Sequence, residues 1–576
     1  MKTIFKHKFL AGAVALATIF ATSSCEDTDT GLKVTGDVPY ADKTLYEVLN
    51  AQEDLTSFME VVNACGAECA DSLFNKSRVY TVWAPVNEAM ADIKDGLIER
   101  INNGERDEVF KTFVMAHVAN HLRPANGVLD ENNRIMMLND KKTPFVGSYA
   151  EGYKFDDCRI AVANIRAWNG VLHKLEKAAE YKYNIWEFFA NDASMFGGYS
   201  IDSLSNYLYS FNKEEFDEKQ SILGPVVDGE QTYLDSVFTI MNQWLNPWDG
   251  FGNVDVEDSI YTIYVPTNEV WDEMITLART HFNYNTDAFK PISMKESEID
   301  SLREFYPHFH VLKYLTFSEG ERKYVENQHP DSMMPVNVSK YPRPVFPKEM
   351  FENEHIVFEK EMSNGYFKIV DKFPYAATDL WLDTIRLEGE NNTMRYECST
   401  NNNGNNSATE LQINKEDSLL VDSKISGNYY FAAESDKEEI NVQFRIPNVL
   451  SAKYKVALIV VPKHITNPRI TADQLKPTYF NVEIRQDGTE KALYSYTDKK
   501  FYNDPKRVDT LFLLDSKGEP AIIDVPYCEY YYGVRTHEDY STKMTISSIN
   551  PGRTVKEKDY SIRLDAVLLI PVVEEE

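Results

Sequence analysis

The sequence predicts an α+β chain in which one mixed unit occurs twice and an all-β sandwich follows. Three observations predict this. The stretch Tyr80-Thr81-Val82-Trp83-Ala84-Pro85-Val86-Asn87-Glu88 recurs as Tyr261-Thr262-Ile263-Tyr264-Val265-Pro266-Thr267-Asn268-Glu269, and such self-similarity marks a repeated domain. Helically spaced apolar residues precede each copy: Leu45, Val48 and Leu49, then Leu55, Phe58, Met59 and Val62 before the first, and Ile185, Phe188 and Phe189 before the second. From about Asp379 onward helical spacing nearly disappears, and apolar residues alternate, as in Val442, Phe444 and Ile446.

The chain has 576 residues, of which 43% are hydrophobic and 12% aromatic. That is enough for several cores and excludes disorder for the bulk of it. A formal charge of −30 excludes nucleic acid as a partner, because phosphates need a basic surface. It also argues against adsorption to anionic lipid and is read as a solvated acidic surface.

Residues 1–24 are not part of the fold. Lys2, Lys6 and Lys8 precede an apolar run, Phe9 to Phe20, that is too short to span a bilayer. Small residues then lead to Cys25, and Ala21-Thr22-Ser23-Ser24-Cys25 resembles the lipobox of bacterial lipoproteins, although the usual Leu is absent. The resemblance implies acylation at Cys25, an outer-membrane anchor, and no other contact with the membrane. Residues 25–42 read as a tether. Its Glu26, Asp27 and Asp29 resemble a surface-export signal of Gram-negative gut anaerobes, or form an ordinary solvated linker. Asp-(Ser/Thr)-apolar triplets at Asp71, Asp202, Asp235, Asp258, Asp300, Asp331, Asp383, Asp417 and Asp509 resemble the O-glycosylation sequon of the same bacteria. Asp-Ser also starts helices and turns. The cysteines after the anchor, Cys65, Cys69, Cys158, Cys398 and Cys528, form neither a disulfide framework nor a zinc spacing, and read as buried thiols.

The first unit, 43–181, opens on a helix with Asp42 or Thr44 as its cap. At the repeated stretch, alternating apolar residues give a strand that Pro85 stops, having no N–H to donate. Asn87 then caps a helix with Glu88 in its first turn. A second helical run extends from Val109 to His121. Short strands follow at Arg134 to Leu138, Phe145-Val146 and Arg159 to Ile165. Asn169-Gly170 turns tightly into a closing strand, Val171 to Leu175.

The corner at Tyr80, Pro85 and Asn87, the box Phe113 to Val118 around His117, and the closing strand with Asn169 and His173 resemble the fasciclin domain. The resemblance implies a twisted β-sandwich or wedge with helices packed on one edge, with His117 structural. The second unit, 182–378, repeats the corner at Tyr261, Pro266 and Asn268. Phe305 to Leu312, with His310, matches the His117 box. Ser363 to Val370, with Asn364, matches the closing strand, Lys368 standing where the first copy has His173. A long insertion before the second corner carries Trp244, Trp248 and the acidic stretch Asp249 to Asp258, and loops on a rigid scaffold are where binding is expected. The tryptophans could stack on sugar or peptide, or pin the loop. Residues 379–576 form the sandwich, whose last strand vaguely resembles jelly-roll carbohydrate-binding modules.

No G-x-S-x-G, H-E-x-x-H, Walker or G-x-G-x-x-G motif is present. His117 with His121 has metal spacing, but the resemblance makes His117 a structural residue, and Asp249 to Asp258 lacks the EF-hand spacing, so no metal, cofactor or catalytic residue is expected. The protein reads as a non-enzymatic binding or adhesion lipoprotein. Its expected partners are glycan, peptide or host matrix, and an outer-membrane transporter of the starch-utilisation type or other surface lipoproteins. The alternative is a scaffold subunit without a ligand.

Overall fold

The computed structural model describes residues 42–573 apart from 67–73, 75–77, 220, 228–229, 236–237, 249, 287–294, 321–330, 338–343, 352–354, 401–403, 406–407, 414–424, 466–468, 488, 498–499 and 530–541. Cys25 with its signal segment and acidic tether, Cys69, Asp71, Asp249, Asp417 and the tyrosines at 530–532 lie outside the described residues. The chain divides into two compact units, one ending at Tyr181 and the other beginning at Lys182.

In the first unit Thr44 caps α1 (Leu45–Asn50) through a reciprocal box with Glu47. Helix α2 (Thr56–Ala64) follows, and both turn their apolar faces inward. Strand β1 (Tyr80–Pro85) is buried along its whole length. After α3 (Asn87–Met90), α4 (Lys94–Asn102) and α5 (Arg106–Val109), one π-helical turn and one 3₁₀ turn carry the chain to His117. The helical run therefore ends earlier than its apolar content suggests. Val118–Asn120 is extended instead, as β2, because it pairs antiparallel with β1.

Strands β3 (Arg134–Met136), β4 (Lys142–Ser148), β5 (Gly152–Phe155), β6 (Cys158–Ala167) and β7 (Gly170–Leu175) complete a seven-stranded sheet in the order β2-β1-β7-β6-β5-β4-β3. Its centre is the parallel pair β1–β7. The far edge curls back until Met137 bridges Ala119 beside β2. One face of the sheet packs Val82, Ala84 and Leu172 against the helices. The other closes over Trp83, Phe145 and Phe155.

The second unit begins with α6 (Ile185–Phe188), boxed by Asn184 and Glu187, and α7 (Asp202–Tyr209). The insertion is a nested ribbon. Strands β8 (Lys213–Phe216) and β11 (Phe238–Met241) pair with each other around the hairpin of β9 (Ile222–Val227) and β10 (Glu230–Asp235). Then come β12 (Tyr261–Pro266), α8 (Asn268–His281), α9 (Glu296–Leu312) and β13 (Thr316–Ser318). The copy ends with β14 (Ser332–Met333), β15 (Phe346–Pro347), β16 (Ile356–Met362) and β17 (Gly365–Val370).

The sheet order β13-β12-β17-β16 repeats β2-β1-β7-β6. The register repeats too: Tyr80 lies opposite Gly170 and Pro85 opposite Leu175, as Tyr261 lies opposite Gly365 and Pro266 opposite Val370.

The C-terminal part is a sandwich. A seven-stranded sheet built on the long strands Ala452–Val460 and Ile562–Pro571 faces a six-stranded one built on Ile440–Ile446, Phe480–Gln486 and Thr542–Ser548. Phe431, Phe444, Val456, Phe480 and Leu564 fill the space between them. One expectation needs correcting. Leu380, Trp381 and Leu382 belong to the second copy's core, so the sandwich begins with the strand Ile385–Glu388 and not at 379. Nor are the second copy and the sandwich separate bodies. Leu450, Tyr527 and Cys528 enter the second copy's apolar cluster, and the Ser451 N–H donates to the His281 carbonyl at 3.0 Å. Residues from distant loops of the sandwich supply that contact, so no local pattern foretells it.

Candidate functional site

The motif residues act on the backbone. Asn169, at the turn into β7, accepts from the Leu45 N–H at 2.7 Å and donates to the Phe74 carbonyl at 2.9 Å. It thus satisfies one of the unpaired N–H groups at the start of α1. Asn364 does the same, accepting from the Ile185 N–H at 2.9 Å and donating to the carbonyls of Val254 and Val256. Each Asn carbonyl also accepts from the corner tyrosine, Tyr80 at 3.1 Å and Tyr261 at 2.9 Å. The glycines that follow are required by space. A Cβ on Gly170 would overlap the Tyr80 carbonyl, and one on Gly365, where φ is +143°, would overlap that of Tyr261. Pro85 and Pro266 end the paired register on the corner strands.

Asn87 and Asn268 do not cap the helices they begin. The caps are Val86 and Thr267, without a side-chain bond. Asn87 reaches back instead to accept from the Ser57 N–H at 2.9 Å at the start of α2, and Asn268 accepts from the Ser203 N–H at 2.9 Å at the start of α7. Each is a cap for a neighbouring helix, a role that local spacing hides.

His117 is fully buried, its Nδ1 2.7 Å from the Phe113 carbonyl and its Nε2 accepting from the Ala179 N–H at 3.1 Å. Burial pushes its pKa down to about 4. With both nitrogens engaged it is a neutral structural residue. His310 is not its counterpart. Ile263 pairs with Thr316 as Val82 pairs with Val118, so Leu315 occupies the position of His117. His310 lies a turn and more earlier, in α9, its ring stacked 4.9 Å from Phe282. Among the described residues no three His, Cys, Asp or Glu side chains converge as metal ligands would.

The two copies differ most on the sheet face turned away from the helices. In the first copy Thr81, Trp83 and His173 lie there and none is exposed. Phe155 stacks on Trp83 at 4.6 Å, and Phe145 meets it edge-on at 5.4 Å. Residues 121–125 cross above. The Thr81 hydroxyl donates to the His121 carbonyl and accepts from the Arg123 N–H, both at 2.8 Å. His173 Nε2 meets the Arg123 carbonyl at 3.0 Å, and burial lowers this histidine also to about 4.

In the second copy the same places hold Thr262, Tyr264 and Lys368, beside Tyr366. Among the described residues no strand like β5 continues from β16, and the face carries a cleft of about 300 Å³. Thr262, Tyr264, Tyr366 and Lys368 form its floor, and Met333 and Met334 are on its wall. Phe351 caps the Tyr264 end, 4.7 Å from that ring. Lys368 Nζ lies 3.4 Å from a Glu359 carboxylate oxygen and 5.9 Å over the Tyr264 ring. Tyr366 is 38% exposed. The cleft therefore offers an ammonium, a carboxylate, hydroxyls and an aromatic face, which is equipment for holding a polar ligand.

The insertion's tryptophans part company. Trp244 is 1% exposed, stacked 5.4 Å from Phe305 and edge-on to Phe211. It pins the loop and cannot meet a ligand, which corrects its candidacy. Trp248 is 69% exposed. The cleft itself leaves no sign in the sequence beyond Lys368 in the place of a histidine.

Residues 53–179 match the model of the Fasciclin domain. Among solved structures the chain is similar to the FAS1 domain pair of the insect cell adhesion molecule Fasciclin I, with 12% identity, 57% of this chain and 98% of that one covered, and a TM-score of 0.20. It is similar also to a family 11 carbohydrate-binding module from Clostridium thermocellum, solved with a mixed-linked tetrasaccharide, with 9% identity, 33% and 98% covered, and a TM-score of 0.19. Comparison with curated proteins finds no match. Residues 53–179 form a fasciclin domain, and the strand order and register of that domain recur in the second copy.

Proposed function

We propose that the protein is a non-catalytic binding lipoprotein, held to the outer membrane by acyl chains on Cys25 and exposed at the cell surface, where it captures glycan or peptide. Fasciclin domains serve adhesion and binding outside cells and are not in general enzymes. One observation supports capture most directly: the sheet face that the first copy seals with its own aromatic rings carries, in the second, a cleft with polar groups on its floor. No described helix is long and apolar enough to cross a membrane, which is compatible with a lipid anchor. Delivery to an outer-membrane importer, as in starch-utilisation-like systems, completes the reading. Glycan and peptide arrays probed with the purified chain test it, with binding of either class expected. If neither binds, and the chain co-purifies with an outer-membrane barrel from detergent extracts, the protein is a scaffold subunit.

A further inference from the structure

We infer that the cleft on the second copy's sheet holds the terminal ring or two of a neutral oligosaccharide, with Lys368 and Glu359 reading adjacent hydroxyls and Tyr366 lying against the ring. This rests on the capture reading above and names the ligand class for it. The size comes first. Ligand pockets run from about 300 to 1,000 Å³, and this one, at about 300 Å³, takes the end of a chain and not its length.

The chemistry narrows the choice further. Lys368 donates only and an ionised Glu359 accepts only, and they stand 3.4 Å apart. Two neighbouring ring hydroxyls, each both donor and acceptor, answer such a pair without bringing a charge of their own. Because the two charges compensate each other, the pair gives no net pull on an ion. Glu319, also on the lining, disfavours an anion. The Thr262 hydroxyl lies on the floor, where the matching Thr81 of the first copy has both its bonds taken by residues 121 and 123. Tyr366, 38% exposed on the same floor, gives the apolar C–H face of a sugar an aromatic surface to rest on.

The Glu359 side chain is 48% exposed and that of Lys368 16%, so a ligand meets the pair from the Glu359 side, and its hydroxyls have to take over the contact that the largely buried Lys368 ammonium gives up.

The test uses the whole chain and two printed panels, neutral oligosaccharides of two to four pyranose rings and random decapeptides. The best-bound disaccharide and its methyl monosaccharide are then titrated by calorimetry. Lys368→Met and Tyr366→Ala are each expected to weaken the disaccharide about tenfold or more, which is about 1.4 kcal/mol. Lys368→Arg is expected to recover part of the loss. Tyr149→Ala, on an exposed residue of the first copy, is expected to leave binding unchanged. Unchanged far-ultraviolet circular dichroism and melting in each variant separate lost binding from lost fold. Sugar bound equally well by all the cleft variants overturns the cleft assignment and leaves surface capture standing. Peptides bound in a Lys368-dependent way, with no sugar bound, overturn the sugar class and leave the cleft standing. No binding to either panel overturns both readings.

Discussion

The two copies share a frame and differ in what they do with one face of it. In the first, strands β3, β4 and β5 continue the sheet round until it nearly meets itself, and the enclosed space is filled by Trp83, Phe145 and Phe155. In the second, among the described residues, the sheet stops at β16, and the equivalent face carries a cleft beside the covered Tyr264. The frame is held by the same few backbone bonds from asparagine in both. A repeat can therefore be free to specialise on one face while keeping the other, which packs its helices, unchanged. The lesson is that the motif residues belong to the frame and the binding chemistry to the places between them.

The comparison can be broken most severely at the shared frame. Gly365→Ala forces a Cβ against the Tyr261 carbonyl; Asn169→Ala strands a buried N–H and a carbonyl, and Asn364→Ala a buried N–H and two carbonyls. Each stranded group costs about 1–3 kcal/mol, so denaturant unfolding should show a loss of about 2–6 kcal/mol in the unit concerned. Losses of this order at both Asn169 and Asn364 are expected; a loss at only one would mean that the frame is not shared.

The sealed and open faces should then separate. Trp83→Ala empties a packed site and is expected to cost about 3–5 kcal/mol. Tyr366→Ala, on the open face, should stay within about 0.5 kcal/mol. Comparable losses at both would show that the cleft is closed in solution.

The pH response sharpens the contrast further. His117 and His173 have folded pKa values of about 4 against 6.5 unfolded, through burial. Between those values the unfolded chain binds the protons, so the first unit loses stability as pH falls from about 6.5 to 4. The second copy has Leu315 and Lys368 in those two places, though burial also lowers its His281 and His308, so the contrast lies in which residues carry the acid response. In the sandwich, Glu529 is raised by burial to about 8 and Asp565 to about 7. Their contribution runs the other way, present at low pH and lost as pH rises through those values. Hydrogen exchange followed peptide by peptide should show protection of the first unit falling at pH 5 relative to pH 7. His117→Gln should flatten that fall.

A modest effect is expected at the borrowed caps. Asn87→Ala and Asn268→Ala should each cost about 1 kcal/mol, with exchange rising at the starts of α2 and α7.

Much of the frame was legible in the residues. The corner strands, the Asn-Gly entry to the last strand, the Thr44 cap and the alternating strands of the sandwich follow from local chemistry. What could not be read depends on tertiary neighbours. Asn87 looks like a cap for its own helix because spacing is blind to a second helix folded back beside it. His310 looks like His117 because each sits in an aromatic-rich run at the end of a helical stretch, and only the pairing of Thr316 with Ile263 reveals the slip. Trp244 looked available because a loop residue shows no sign of the Phe305 that covers it. The cleft depends on how the strands after β13 fold back over the sheet, and of its lining only Lys368, in the place of a histidine, hints at it.

The central parallel pair has a consequence for synthesis. In each copy the corner strand lies beside the final one, Tyr80 against Gly170 and Tyr261 against Gly365. A growing chain must thus wait for its last segment before the middle of either sheet can exist. Contacts so distant along the chain slow folding. While it waits, the apolar corner strand has no neighbour on that side, and a nascent copy cut short of its closing segment is a candidate for chaperone capture or clumping.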